Sequence, residues 1–239
     1  MDKLYIVIPA YNEEENIETV IGDWYPIVKK IGNGSRLLVI DDGSKDSTYK
    51  IMKELANTHE AFEPITKPNG GHGDTVLYGY KYAVDKGADY VFQTDSDGQT
   101  LPDEFWQFWN NRKEWDMGIG QRKGRQDGIS RVLVTKTLKF VLWVFLHVRI
   151  KDANTPFRLM KASVLEKQLH LIPEGYNLCN VMISVIYARR GLKVHYRPIT
   201  FRPRQGGVNS INMKRIFKIG RQAIRDFSNI NKVLKKENI

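Results

Sequence analysis

Short apolar runs alternate with amphipathic helical patterns through the first half of the chain, and this alternation restricts the fold more than any other feature. The apolar runs are residues 4–8, 36–40, 62–66 and 90–94. The helical patterns between them are residues 13–31, 46–56 and 75–86. Strands that alternate with helices pair in parallel through right-handed crossovers. The sequence therefore predicts an α/β fold with a mostly parallel sheet flanked by helices.

The second half of the chain is less regular. Its predicted elements are a strand at residues 115–121, a helix at 135–148, a strand at 192–201 and a helix at 211–236. Because no repeat or linker interrupts the sequence, we expect residues 1–210 to form one domain. Residues 211–239 are expected to form a basic amphipathic helix that belongs to this domain or lies at a membrane interface.

Four polar or glycine-rich clusters lie at the ends of the predicted elements. They are PAYNE at residues 9–13, DDGS at 41–44, NGGHG at 69–73 and DSDGQ at 95–99. Ligands of parallel sheets bind beyond the carboxyl ends of the strands. We therefore expect the four clusters to meet at one edge of the sheet and to form the functional site there.

The DSDGQ cluster indicates a metal site. Alternation along an extended chain points the carboxylates of Asp95 and Asp97 the same way, and Gln99 continues this spacing with a third oxygen. Oxygen ligands suit Mg²⁺ or Mn²⁺, which keep open positions for substrate phosphates. The alternative is a polar turn with two solvated aspartates.

The DDGS and NGGHG clusters each have two interpretations. We expect one of Asp41 and Asp42 to cap the following helix, whose dipole favours an acidic residue, and the other to bind a base or ribose. The glycines at residues 69–73 let the backbone approach a ligand closely, unless they form a plain turn. His72 is either an acid beside phosphates or a solvated loop histidine.

Charge divides the chain into an acidic and a basic half. Residues 1–120 carry 12 basic and 21 acidic side chains, and residues 121–239 carry 25 and 6. This division indicates a metal on one side of the site and polyanions or a membrane surface on the other. Arginine binds phosphate through paired hydrogen bonds, although the alternative for each arginine is a solvated basic face. The arginines of the basic loops are Arg122, Arg125, Arg131, Arg202 and Arg204.

Two segments indicate contact with a membrane. Residues 138–148 are apolar nearly all round, so this helix is buried or meets lipid. Residues 211–239 carry eight basic and two acidic side chains, which is typical of a helix at an anionic lipid surface, although such a helix can also pack on the sheet. No run reaches the ~18 apolar residues that span a bilayer, and no targeting segment is visible. The single cysteine, Cys179, excludes an intramolecular disulfide.

Taken together, the four clusters resemble glycosyltransferase family 2 in their order and spacing. Further motifs are similar to the family's dolichol-phosphate mannose synthase and polyprenyl-phosphate glycosyltransferase branch. These motifs are GQR at residues 120–122, SR at 130–131, DANTPFR at 152–158, PITF at 198–201 and RQGG at 204–207. The chain departs from this branch at residues 155–158, where the branch has SGFR, and at residues 207–210, where it has GxSK.

The resemblance implies a nucleotide-sugar-binding fold of the GT-A type with amphipathic helices at the C-terminus. It also implies an inverting, divalent-metal-dependent transfer of a sugar from a nucleotide sugar to a polyprenyl phosphate. The enzyme would lie peripherally at the cytoplasmic, inner face of a membrane. We expect a membrane-protein partner to supply the anchor that the sequence lacks, and we expect no nucleic-acid partner.

The site residues are likewise implied by the resemblance. Those expected to bind the donor are Pro9, Ala10, Tyr11, Glu13, Asp41, Asp42, Asn69, Gly71 and Ser96. Those expected to hold Mg²⁺ or Mn²⁺ are Asp95, Asp97 and Gln99. Those expected to grip the acceptor phosphate are Arg122, Arg131 and Thr135. Arg204 would close over the donor diphosphate and would share the catalytic role with the two aspartates.

Three other functions compete with this one. Transfer to a saccharide hydroxyl needs a general base, and the only acidic residues between Arg122 and Lys161 are Asp127 and Asp152. An ionised phosphate acceptor needs no base. A nucleic-acid-binding module would bind in a salt-dependent way, but the clustered acidic motifs argue against it. A nucleotidyltransferase would carry a glycine-rich basic loop near the N-terminus, where this chain reads PAYNE.

Overall fold

A computed structural model describes residues 2–123, 148, 150–203 and 231–232 of the protein. The strands are β1 (Leu4–Ala10), β2 (Arg36–Asp41), β3 (Phe62–Thr66), β4 (Tyr90–Gln93), β5 (Met117–Lys123), β6 (Arg158–Lys161) and β7 (Val194–Thr200). The helices are α1 (Ile17–Ile31), α2 (Thr48–Ala56), α3 (His72–Asp85), α4 (Trp106–Trp109), α5 (Ala162–Leu169) and α6 (Cys179–Arg189). A 3₁₀ turn at Pro102–Phe105 leads into α4.

These strands form one sheet in the order β3-β2-β1-β4-β6-β5-β7. Strands β1 to β4 pair in parallel, β5 and β7 also pair in parallel, and β6 runs antiparallel between β4 and β5. The predicted α/β fold with a mostly parallel sheet is confirmed. Strand β6 is missing from the sequence prediction because it is short and begins with the charged Arg158, two residues after Pro156.

Helices cover both faces of the sheet. Residues Leu4, Ile6 and Ile8 of β1 belong to the apolar cluster that contains α1 and α4. Residues Tyr5 and Val7 of the same strand belong to the cluster that contains α3, α5 and α6. Because β1 is buried on both faces, it reads in the sequence as an unbroken apolar run rather than an alternating one.

The helices begin at other residues than predicted. Helix α1 begins at Ile17 instead of residue 13, and the turn that precedes it is closed by the carbonyl oxygen of Glu13, which accepts the N–H of Asn16 at 2.9 Å and the N–H of Ile17 at 2.8 Å. Helix α2 begins at Thr48 instead of residue 46, since Asp46 bonds the Thr48 N–H at 3.0 Å from outside the helix. Helix α3 begins at His72, three residues earlier than predicted, which places the histidine on the helix.

Most of the predicted membrane-facing helices lie outside the described residues. Of residues 135–148 the structure describes Val148, and of residues 211–236 it describes Asn231 and Lys232, which are helical. The boundary at residue 210 therefore stays a prediction. Within the described ranges, no helix is both long enough and apolar enough to cross a bilayer.

The thiol of Cys179, the first residue of α6, is 1% exposed, and this burial raises its pKa to about 12. The thiolate is the form that attacks a thiol reagent, so at pH 8 we expect the folded protein to react at least about a hundredfold more slowly than the unfolded protein. Ellman's reagent, with and without denaturant, measures both rates. Equal rates would contradict the buried position of this residue.

Gly73 lies in the first turn of α3, where a Cβ would overlap the carbonyl oxygen of Tyr176 and the backbone of Asn177. Because backbone cannot move aside as a flexible side chain can, we expect Gly73→Ala to lower the free energy of unfolding by about 1–3 kcal/mol. Gly22→Ala in α1 is the matched control, since a Cβ there meets nothing within 4 Å. Denaturant unfolding measures both variants, and equal stability would contradict the close contact.

Candidate active site

The loop after β4, residues 95–99, contains all three expected metal ligands, Asp95, Asp97 and Gln99, and is here named the metal loop. The hydroxyls of Thr94 and Thr100 lie 2.7 Å apart and close this loop, and Gly98 turns it with a φ of 67°. The side chain of Asp95 is 29% exposed, and Asp97 is partly buried. The loop lies between the ends of β4 and β1, where the strand order reverses, and ligands of α/β sheets bind at such a position.

His72 reaches this metal loop from the start of α3. Its Nε2 lies 3.1 Å from Oδ1 of Asp95, and 51% of the histidine side chain is exposed. Partial burial opposes protonation of the ring, but the carboxylates of Asp95 and Asp97 outweigh this effect and raise the pKa of His72. His72 is thus a partner of the metal loop and not simply a solvated loop residue.

Gln99 joins the metal loop to the chain that leaves β7. Its Nε2 donates to the carbonyl oxygen of Arg202 at 2.7 Å, and the N–H of Arg202 donates to the carbonyl oxygen of Gln99 at 2.8 Å. Since the amide nitrogen is used in this contact, Oε1 is the side-chain atom of Gln99 that can serve a cation. Arg204, two residues further along the chain, lies outside the described residues.

The chemistry of the metal loop fits a hard divalent cation. Over the described ranges, no three histidine, cysteine, aspartate or glutamate side chains gather into a metal site. Two carboxylates and one amide oxygen leave the other coordination positions to water and substrate oxygens, as in Mg²⁺ and Mn²⁺ sites that act on phosphates. Residues 95–99 therefore suit a cation that is shared between protein and substrate.

Asp41 and Asp42 are buried, at 2% and 3% exposure, and neither caps α2. Asp41 accepts hydrogen bonds from the N–H of Ser44 at 3.1 Å and from the hydroxyl of Thr66 at 2.7 Å. The prediction that one member of the pair caps the following helix is therefore wrong. Asp46 bonds the first turn of α2 instead, which leaves the pair to organise the loops around the site.

The carboxylate of Asp42 holds the glycine loop, residues 69–73. Its Oδ1 accepts the N–H of Gly70 at 2.9 Å, and its Oδ2 accepts the N–H of Gly71 at 2.8 Å. Lys67 Nζ also donates to Oδ1, at 2.7 Å. Burial opposes ionisation of Asp42, but the bonds from Lys67 and Gly70 outweigh it and lower the pKa of this carboxyl. Asp42 is therefore an ionised anchor of the glycine loop.

A chain of contacts extends from this anchor to a part of the protein that the sequence did not mark. Lys67 Nζ also donates to Oδ2 of Asp74 at 3.0 Å, and Oδ1 of Asp74 accepts the N–H of Gly175 at 3.0 Å. Residues 174–177, here named the rim segment, are thereby attached to the glycine loop. Its only sequence signal is Gly175, which has a φ of 69°.

The loop after β1 is bonded to the loop after β2. The N–H of Asn12 donates to the hydroxyl of Ser44 at 2.9 Å, and the N–H of Lys45 donates to Oδ1 of Asn12 at 2.9 Å. Beside these contacts Tyr11 is 43% exposed, so its ring is open to a planar group such as a nucleobase. Glu13 is 7% exposed and accepts a hydrogen bond within its own loop.

The structure brings every expected donor residue to one edge of the sheet, as the sequence predicts. They lie at the carboxyl ends of β1, β2 and β4 and in the glycine loop, and are Pro9, Ala10, Tyr11, Glu13, Asp41, Asp42, Asn69, Gly71 and Ser96. Their individual roles toward the donor stay predictions.

Arg122, near the end of β5, forms a two-bond fork with Asp152. Its Nε donates to Oδ2 at 2.9 Å and its Nη2 donates to Oδ1 at 2.8 Å, and the two side chains are 11% and 10% exposed. The ring of Phe201 lies 5.2 Å from the guanidinium. The other expected acceptor residues, Arg131 and Thr135, lie outside the described residues, as does Asp127.

A fully buried guanidinium, that of Arg158, shapes the loop that contains Asp152. It donates to the carbonyl oxygens of Ala153 at 3.2 Å, Thr155 at 2.6 Å and Asn180 at 2.9 Å. A buried charge is costly unless its donors are satisfied, and here carbonyls from the loop and from α6 satisfy them. The sequence pointed to this residue only through the resemblance of its motif.

The pH dependence of stability tests the ionised state of Asp42. Its lowered pKa means that the carboxylate stabilises the fold above its unfolded pKa of about 3.9, and that this contribution disappears as the pH falls through the lower folded pKa. We expect Asp42→Asn to lower the free energy of unfolding by about 2–4 kcal/mol near pH 7, with a difference that shrinks below about pH 4.

Denaturant unfolding at several pH values measures this difference. Asp23→Asn, at an exposed position of α1, is the control and is expected to change stability by no more than about 0.5 kcal/mol at any pH. A difference between wild type and Asp42→Asn that does not depend on pH would contradict the ionised anchor.

The sequence matches the family model described as Glycosyl transferase family 2 over residues 5–170. A UDP-N-acetylglucosamine–dolichyl-phosphate N-acetylglucosaminyltransferase from Methanococcus voltae is 30% identical in an alignment 224 residues long, which covers 83% of this chain and 85% of that protein. A polyprenol monophosphomannose synthase from Mycolicibacterium smegmatis is 26% identical in an alignment 233 residues long, which covers 92% of this chain and 86% of that protein. The predicted resemblance is confirmed.

Among solved structures, the chain is similar to glucosyl-3-phosphoglycerate synthase from Mycobacterium tuberculosis in complex with Mn²⁺, uridine diphosphate and glucosyl-3-phosphoglycerate. The TM-score is 0.69 at 18% identity, over 93% of this chain and 77% of that one. This likeness shows the shared fold and confirms the predicted GT-A type. Because the family model spans more than half of the sequence, the chain belongs to glycosyltransferase family 2 and is a glycosyltransferase.

Proposed function

We propose that this glycosyltransferase moves a sugar from a nucleotide sugar to a polyprenyl phosphate, with inversion at the anomeric carbon and with a bound divalent cation. The proposal rests mainly on the fork between Arg122 and Asp152. Transfer to a hydroxyl would require a general base. Asp152 is 10% exposed and already accepts two hydrogen bonds from an arginine, so its carboxylate is a poor general base. The names of the two relatives, for dolichyl-phosphate transfer and polyprenol monophosphomannose synthesis, support the lipid acceptor.

The acceptor phosphate is assigned to the free side of the Arg122 fork. The fork uses Nε and Nη2 of Arg122, and Nη1, which takes no part in it, would donate to the phosphate. The ring of Phe201 holds the guanidinium plane in a fixed orientation, which suits recognition of a phosphate. A phosphate is already ionised near neutral pH, so the attacking oxygen needs no base. Arg131 and Thr135 are assigned to the same phosphate.

The donor is assigned to the edge formed by β1, β2 and β4. The exposed ring of Tyr11 would stack on the nucleobase, and Asp41 would accept hydrogen bonds from the nucleoside through lone pairs that Ser44 and Thr66 leave open. Mg²⁺ or Mn²⁺ at the metal loop, residues 95–99, would supply positive charge for the diphosphate leaving group. The Mn²⁺ in the structure of the M. tuberculosis synthase supports this use of a cation.

Arg204 is assigned to the same leaving group. Two hydrogen bonds hold Arg202, which precedes Arg204 by two residues in sequence, against Gln99 of the metal loop. A positive side chain there would stabilise the charge that grows on the diphosphate as the sugar leaves. The acceptor oxygen would attack the anomeric carbon from the side opposite this leaving group, and a single displacement of this kind inverts the configuration.

We also propose that the enzyme is peripheral at the cytoplasmic, inner face of a membrane, because its acceptor would be anchored in lipid. The surplus of basic side chains in residues 211–239 would attract this segment to anionic lipid. A membrane-protein partner would add a firmer anchor. In this proposal residues 1–210 form the catalytic domain.

Sugar transfer from a panel of nucleotide sugars, with Mn²⁺ and with or without a short-chain polyprenyl phosphate, tests the function. We expect transfer that requires the lipid phosphate. Asp97→Asn is expected to reduce it by about a hundredfold or more, because the leaving diphosphate loses charge stabilisation. Asp103→Asn, at an exposed position beyond the metal loop, is the matched control and is expected to keep the activity of the wild type.

Two outcomes would contradict the proposal. Transfer to an added saccharide without lipid phosphate would show that the acceptor is a saccharide hydroxyl and not a lipid phosphate. That reaction would require a general base. Full activity of Asp97→Asn would remove the metal loop from the mechanism. Measurement of the anomeric configuration of the product by NMR tests inversion separately, and a retained configuration would exclude a single displacement.

A further inference from the structure

The rim segment, residues 174–177, is held rigidly against the start of α3. The N–H of Gly175 donates to Asp74, and Gly73 touches the backbone of Tyr176 so closely that no Cβ fits between them. Asp74 is in turn bonded to Lys67, which is bonded to Asp42. The position of the segment is therefore set by the same contacts that hold the glycine loop.

This arrangement presents the side chain of Asn177 at the glycine loop. Asn177 is exposed, and a Cβ placed on Gly71 would lie 3.0 Å from its Oδ1. Gly71 directly precedes His72, whose ring contacts Asp95 of the metal loop. Within the described residues, no hydrogen bond involves the carboxamide of Asn177. An exposed amide group, which can donate and accept hydrogen bonds, therefore lies beside the residues proposed to contact the diphosphate of the nucleotide sugar.

We propose that Asn177 determines donor specificity by hydrogen bonding to the sugar of the nucleotide sugar. The inference rests on the proposed function and adds a residue to it. A neutral carboxamide offers both a donor and an acceptor, which suits a sugar hydroxyl or acetamido group better than a charged diphosphate. The N–H groups of Gly70 and Gly71 already bond Asp42, so Asn177 supplies polar groups that the loop itself cannot. Its rigid support reduces the entropy lost on binding.

Binding measurements separate a contact with the sugar from a contact with the nucleotide. With Mn²⁺ present, the dissociation constants of UDP, GDP, UDP-glucose, UDP-N-acetylglucosamine and GDP-mannose are measured by calorimetry for wild type and for Asn177→Ala. We expect the variant to bind the nucleoside diphosphate as wild type does and to bind the preferred nucleotide sugar about tenfold more weakly, as loss of one hydrogen bond implies. The ratio of kcat/KM between sugars is expected to shift by a similar factor.

Glu174→Ala in the same segment is the matched control. The side chain of Glu174 is 88% exposed and lies 3.5 Å from Lys81 of α3. We therefore expect the variant to keep the wild-type dissociation constants for all five ligands. Asn177→Asp keeps an acceptor but loses the donor groups, and we expect it to change the order of preference among the sugars. Thermal unfolding checks that all three variants are folded.

The outcomes separate this inference from the proposed function. Unchanged constants in Asn177→Ala, or an equal loss for UDP or GDP and its sugar, would overturn the role of Asn177 while wild-type transfer to the lipid phosphate still stands. An effect confined to the KM of the acceptor would also overturn it. A wild-type protein that binds none of the nucleotide sugars would overturn both the inference and the proposed function.

Discussion

The buried carboxylate of Asp42 is the contact on which the proposed donor side of the site depends. It accepts two backbone N–H groups of the glycine loop and the ammonium of Lys67, and Lys67 passes the connection to Asp74 and the rim segment. A carboxylate with so little exposure is stable as an ion only when its oxygens are occupied by donors. The glycine loop, the start of α3 and the rim segment therefore take their positions together.

The proposed acceptor side depends on a buried positive charge. The guanidinium of Arg158 is buried among neutral carbonyls of the loop before β6 and of α6. These bonds set the path of the loop, and the loop places the carboxylate of Asp152 where it accepts two hydrogen bonds from Arg122. One buried anion and one buried cation thus support the two walls of the proposed site, and the metal loop lies at the end of β4 between them.

The sheet and the edge that holds the site could be predicted because the signals are local. Apolar runs such as residues 4–8 and 36–40 are unbroken because both faces of the sheet are covered, and the polar clusters follow these runs directly. Strand β6 could not be predicted in this way, since Arg158 breaks its apolar pattern and its N–H donors are satisfied only after α6 and the loop surround it. The same holds for the rim segment, whose role depends on a contact with Asp74 a hundred residues away in sequence.

The sequence by itself determined the strand–helix order and the polar residue types that gather at the carboxyl edge of the sheet, because periodicity and strand ends are properties of short stretches of chain. Only the tertiary structure decided what each polar group bonds. Asp42 could cap a helix, bind a nucleoside or anchor a loop, and the structure shows it bonded to the glycine loop 28 residues further along. Asp152 could be a base or a partner of Arg122, and in the structure it is bonded to Arg122. Competing hydrogen bonds have similar energies, so proximity in the folded chain selects among them.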